Sequence, residues 1–124
     1  MKSQKKETGV KIFRSEEVDW VVPPEHFGAL SKILISPDNS ETKAFDFRIS
    51  IYQPNGTVTP HSHNVQESIW YILKGIGVVV LDGERHLVEP NVVIYIPPKV
   101  EHSIINTGLE DLVFAIAISP PKDI

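Results

Sequence analysis

The chain reads as an all-β domain, either a sandwich or a barrel. Short apolar runs rich in branched and aromatic residues recur about every 8–12 positions, the spacing of strands in such folds. Gly, Pro, Asn and Asp punctuate them, as at Asn55-Gly56, Asp82-Gly83 and Pro97-Pro98. Helical periodicity is absent after residue 20.

Taken in order, residues 1–9 are expected to form a flexible polar tail and residues 10–124 a single domain. Val10-Lys11-Ile12-Phe13 suits a short strand or a lead-in. Ser15 to Trp20 opens with an N-cap-like serine, but Pro23 and Pro24 allow only one helical turn. Ala29 to Ile35 reads as a strand closed by the loop Pro37-Asp38-Asn39-Ser40. From Ala44 to Tyr52 apolar and polar residues alternate, so Phe45, Phe47, Ile49 and Ile51 share one face of a half-buried strand.

A turn at Pro54-Asn55-Gly56 leads into an expected strand that carries His61 and His63. Ile69 to Leu73 is the next strand, and Gly75 and Gly77 bracket a turn. Val78 to Leu81 and Glu84 to Glu89 form a hairpin around Asp82-Gly83. Val92 to Ile96 ends at Pro97-Pro98, and His102 to Asn106 and Leu112 to Ile118 flank a loop at 107–111. Val78–Leu81 and Val92–Ile96 are apolar on both faces, which predicts burial on both sides. Trp70, Tyr71 and Tyr95 are core candidates first and pocket residues second.

Composition removes several functions. The chain has no cysteine, so disulfides, thiolate nucleophiles and cysteine-held metals are excluded. A net charge of −4 without a basic face argues against a nucleic-acid partner. No apolar run reaches the ~20 residues of a membrane span, and no signal-peptide core follows Met1, so a cytoplasmic location without a membrane partner is expected.

The chemistry lies in the histidines. In extended backbone, residues i and i+2 project to the same side, which sets the His61 and His63 rings next to each other. Glu67 follows four residues later, and His102 stands in a similar setting after Pro97-Pro98. Three imidazoles and a carboxylate make a ligand set for one divalent transition metal; Fe, Mn, Ni, Cu and Zn all accept it. Asn106 suits a turn or a supporting hydrogen bond. His26 and His86 lack such a context, and the surface is the expected place for His86. Glu101 reads as a solvated charge.

These residues carry a family resemblance. Gly56 through Gly75, with His61-Ser62-His63 and Glu67, resembles the first cupin motif: a glycine, an H-x-H pair, a glutamate and a closing glycine. Asn91 through Asn106, with Pro97 and His102, resembles the second motif, G-x5-P-x-G-x2-H-x3-N, with Asn91 and Lys99 in place of its glycines. The resemblance implies a double-stranded β-helix, the jelly-roll barrel of RmlC-like proteins. It also implies a metal site at His61, His63, Glu67 and His102. The family glutamate usually stands where Ser68 is, and strand alternation sends Ser68, Trp70 and Ile72 one way and Glu67, Ile69 and Tyr71 the other. Two sites stay open: three histidines with Glu67, or three histidines with water.

The function expected from this is a metal-dependent enzyme, a dioxygenase (an oxidoreductase), isomerase or lyase, acting on a small oxygenated molecule. The alternative is a non-catalytic module that binds or senses a small molecule. The doubly apolar strands and the Val10–Phe13 segment predict a homodimer.

Overall fold

The computed structural model describes residues 9–124. Most of the expected N-terminal tail, residues 1–8, lies outside the described residues. Eight strands follow one short 3-10 turn at Ser15–Glu17. They are β1 (His26–Ile35), β2 (Asp46–Val58), β3 (Glu67–Lys74), β4 (Gly77–Leu81), β5 (Glu84–Val88), β6 (Val93–Ile96), β7 (His102–Asn106) and β8 (Leu112–Ser119). They form one curled antiparallel sheet in the order β5-β4-β7-β2-β8-β3-β6, with β1 also paired to β2. The curl wraps a core of Trp70, Ile72, Ile104, Leu112 and Phe114. No helix among the described residues is long and apolar enough to cross a membrane.

Several local expectations are corrected. Val10–Phe13 is not a strand; Val10 and Ile12 are exposed and the segment is irregular. Arg14, not Ser15, precedes the first turn, and it makes no side-chain cap. Pro54-Asn55-Gly56 does not end a strand. β2 runs straight through it, absorbing the positive φ of Asn55 (+67°) as an irregularity. Here β1 and β2 cross closely: a Cβ on Gly56 would overlap the carbonyl oxygen of Gly28, itself at φ +62° where the register shifts. The bend lets one strand serve two partners. Residues 46–52 of β2 pair with β8, while Thr57 pairs with Ile105 of β7.

The alternation in β2 is present, but its burial is inverted. Asp46, Ser50 and Tyr52 are buried, Arg48 is half-buried, and Phe45 and Phe47 face solvent. Polar side chains therefore line the inside of the curl. In β6 only Ile94 and Ile96 are buried, and Val93 and Tyr95 are exposed. Val78 and Val79 are buried on both faces of β4, as expected.

Tight turns close as the residues suggest. Asp82 and Gly83 both have positive φ (+48° and +82°), the geometry of the two-residue hairpin. Asn91 (+77°) and Lys99 (+69°) adopt left-handed backbone where glycines are usual. Asn106 is fully buried; its amide donates to the carbonyls of Tyr52 and Glu110 and accepts from the Gly108 N–H, tying the 107–111 loop to β2.

The crossing at Gly56 yields a prediction. Gly56→Ala overpacks backbone against backbone, so it destabilises the protein by about 1–3 kcal/mol. A urea midpoint equal to that of the wild type would show that the crossing relaxes without cost.

Candidate metal centre

His61 and His102 come from segments forty residues apart, and a single antiparallel bridge joins them. The His61 N–H donates to the His102 carbonyl at 3.1 Å and the His102 N–H donates back at 2.8 Å. The strand expected to carry His61 and His63 does not form: beyond the isolated bridge at His61 the chain is irregular up to Glu67, and two residues after His61 comes His63. Its carbonyl accepts from the Lys99 N–H at 2.7 Å, so the left-handed turn at Lys99 presses the 97–100 segment against it.

The three rings converge. Centroid separations are 4.4 Å for His61–His102, 5.1 Å for His61–His63 and 5.3 Å for His63–His102. One ligand nitrogen from each lies within 4.8 Å of the others. The Nδ1–H of His61 donates to the Thr59 carbonyl at 2.8 Å, and that of His102 to the Val100 carbonyl at 2.9 Å. Both rings therefore present a bare Nε2, the tautomer that a metal ligand needs. His63 turns its Nδ1 toward Asp123, 3.8 Å away.

Burial disfavours the charged form of two of these rings, His102 and His63. It holds the pKa of His102 down at about 4, with the neighbouring His61 and His63 adding to the effect. Burial, then His61, likewise lowers the pKa of His63, and Asp123 pulls the other way. Three imidazoles aimed at one point fit a divalent transition ion.

Glu67 is not brought into this cluster. It opens β3 on the exposed face, where its carboxylate accepts the Tyr95 hydroxyl at 2.9 Å, a bond that raises the Tyr95 pKa. Strand alternation is the reason: Ser68, Trp70 and Ile72 are buried and Glu67, Ile69 and Tyr71 are exposed. Gln66, which shares the parity of Ser68, enters the pocket instead and is anchored through its amide to the Pro120 carbonyl at 3.1 Å.

The histidines open onto a cavity of about 540 Å³, within the size range of small-molecule sites. Its wall includes Trp70 and Ile116 on the apolar side and Arg48, Ser50 and Tyr52 on the polar side. Trp70 packs edge-on against His102, 5.8 Å between centroids. His26 also lines the cavity. Its Nδ1–H donates to the Pro24 carbonyl at 2.8 Å, and burial lowers its pKa. Sequence gave no signal for His26, because it joins the pocket through the pairing of β1 with β2. His86 is at the surface beside Glu84, 3.2 Å away, as expected. Tyr71 and Tyr95 are exposed, not core.

Asp123 was not foreseen either. Its carboxylate accepts the N–H groups of Asn64, Val65 and Gln66, at 2.8, 2.8 and 3.2 Å. Those bonds, led by Val65, lower its pKa. A C-terminal residue thus clamps the loop that carries His63.

The cupin domain model matches residues 48–119, which is more than half of the chain and takes in all three histidines. This chain belongs to the cupin family. A dimethylsulfoniopropionate lyase, DddW, of Ruegeria pomeroyi is 32% identical over 68% of this chain and 54% of the relative. A glucose-6-phosphate isomerase of Thermococcus gammatolerans is 40% identical over 48% of this chain and 34% of the relative. This cupin therefore spans about half of the first relative's length and a third of the second's. Among solved structures, a predicted oxalate decarboxylase of Thermotoga maritima superposes with a TM-score of 0.77 at 28% identity, covering 88% of this chain and 98% of that one. The curled sheet is the jelly roll of small cupins.

The depressed His102 pKa has a consequence for the metal-free protein. Unfolded histidine takes up a proton near pH 6.5, whereas folded His102 resists until about pH 4. The unfolded state therefore binds more protons between these values, and stability falls as the pH drops through that window. Urea titrations at pH 7, 6, 5 and 4.5 should show the loss, and His102→Gln should reduce it, leaving the share of His63 and His26. An unchanged slope in the variant would assign the loss to other groups.

Proposed function

We propose that this cupin is a metal-dependent enzyme acting on a small oxygenated molecule, with His61, His63 and His102 holding one divalent transition metal ion. The observation that carries the reading is the convergence of three imidazoles on the wall of a small-molecule cavity. Among the activities weighed (dioxygenase, isomerase or lyase), similarity to a lyase, an isomerase and a predicted decarboxylase supports the isomerase or lyase type. When bound, the ion would supply Lewis-acid or redox chemistry. The chain's own groups then orient the substrate and handle protons. His26 keeps one ring nitrogen bare and can accept a proton there, since the other is engaged by Pro24. Tyr52 is buried, which raises its phenol pKa, so its hydroxyl stays a neutral donor. Trp70, Ile116 and Ile118 exclude water from one side.

Calorimetry with Zn²⁺, Mn²⁺ and Ni²⁺ should find one equivalent bound. His61→Ala or His102→Ala should weaken binding by more than about 100-fold, whereas Glu67→Gln should leave it within about threefold. No metal uptake by the wild type would refute the metal centre, and a large loss in Glu67→Gln would restore the carboxylate as a ligand. O₂ uptake and product formation on a panel of diketones, catechols and 2-oxo acids then separates enzyme from binding module. Tight metal binding with no turnover on any of them favours the non-catalytic alternative.

We also propose that the cupin pairs with a second copy through the outer face of the sheet. The strand register aligns Tyr95, Ile69, Ala117, Phe47 and Ile35 in one row across five strands, and Val93, Tyr71, Ala115 and Ile49 in the next. Ile69 is 50% exposed and Val93 62%, which makes a continuous apolar surface. A two-fold axis would cover it with the same surface of its partner. Light scattering at micromolar concentration should give a dimer mass, and Ile69→Asp should give a monomer. A monomeric wild type would end this proposal.

A further inference from the structure

The inner face of β2 holds more polar chemistry than three histidine ligands require. Arg48 projects into the cavity with its side chain 21% exposed. Its Nε and Nη2 donate to the two carboxylate oxygens of Asp46, at 2.8 Å each, so the guanidinium plane is fixed. A guanidinium owns five N–H donors, and this pair uses two. Among the described residues no other acceptor meets the remaining three.

A second observation lies beside it. Ser31 of β1 and Ser50 of β2 line the same cavity, each only 1% exposed, with their hydroxyl oxygens 2.8 Å apart. One hydrogen serves the bond between them. The other finds no acceptor among the described residues, although a buried hydroxyl hydrogen without a partner is costly. His26 is within electrostatic reach of both Arg48 and His61, and so links this polar wall to the histidine cluster. Two carboxylates are near. Asp46 is engaged by Arg48, and Glu25 accepts the Thr59 hydroxyl at 3.1 Å on the exposed rim. Unspent donors on a fixed cation, next to an unspent buried hydroxyl, ask for a ligand that is an acceptor and an anion.

We propose that Arg48, with the Ser31–Ser50 pair, is an oxyanion subsite that selects substrates bearing a carboxylate or phosphate at the end remote from the metal. This rests on the metal-centred reading above, and it narrows the substrate class to anions with chelating oxygens at one end and a second charged group at the other. Arg48 determines specificity here and takes no part in bond making.

The test uses the full chain loaded with Zn²⁺. The probes are 2-oxoglutarate, 2-oxoadipate and 2-oxopimelate, each compared by calorimetry with the monoacid of equal length. At least one diacid should bind about tenfold tighter than its monoacid, the worth of one charge-assisted hydrogen bond. Arg48→Gln should erase that gain. Because Arg48→Gln strands the buried Asp46 carboxylate, the double variant D46N/R48Q, which leaves a neutral amide pair, is measured alongside and should erase it too. The phosphonate analogue of the best diacid tells a carboxylate site from a phosphate site by which binds tighter. Equal binding of diacid and monoacid to the wild type, a gain that survives in D46N/R48Q, or no binding of any probe overturns the subsite. Failure of Zn²⁺ itself to bind is scored separately, against the metal centre. In that event glutarate titrated into the metal-free protein still decides on Arg48. It should bind the wild type at least about threefold tighter than D46N/R48Q, and equal binding overturns the proposal.

Discussion

The pair of backbone hydrogen bonds between His61 and His102 is the constraint on which the site depends. Side-chain rotamers alone cannot hold two imidazoles from segments forty residues apart at a centroid distance of 4.4 Å. The bridge removes that freedom by fixing both backbones in one antiparallel step. His63 is then placed by the two-residue repeat of extended chain, and its position is locked from both sides, by Lys99 at its carbonyl and by Asp123 beside its ring. Preorganisation of this kind means that an ion does not have to pull its ligands together.

The inverted strand explains the pocket. A half-buried strand normally sends its apolar side inward and its polar side to water. β2 does the opposite over Asp46–Tyr52, and so places a cation, a hydroxyl and a phenol inside the curl. The cost of burying Arg48 is offset by its two-pronged pair with Asp46. The price of the inversion on the outside is an apolar sheet face, which ties the polarity of the pocket to the proposed self-association. One choice of register in one strand has consequences on both surfaces of the sheet.

Much was legible along the chain. The apolar strands, the Asp82-Gly83 hairpin and the 107–111 loop are local matters, set by side-chain alternation and by residues that tolerate positive φ, whereas the strand expected at His61 and His63 does not form. The three clustered histidines were legible because two motifs carry them. Asn55-Gly56 misled for a physical reason: the same conformational freedom that closes a hairpin also permits a kink inside a long strand, and only the packing of Gly56 on Gly28 selects the kink. His26 and Asp123 left no trace in the pattern, since their roles arise from strand pairing and from where the C-terminus returns.

From its residues alone, then, this cupin is determined to be an all-β chain that carries three histidines in two motifs, because those properties follow from local backbone preference and from the sequence itself. Which side of each strand is inside is another matter. Periodicity reports that two faces differ and is silent on which one meets the core. Glu67 faces outward by the alternation of its own strand, but tertiary structure alone turned Arg48 inward and brought Asp123 onto the His63 loop, since these depend on contacts between segments that no local pattern connects.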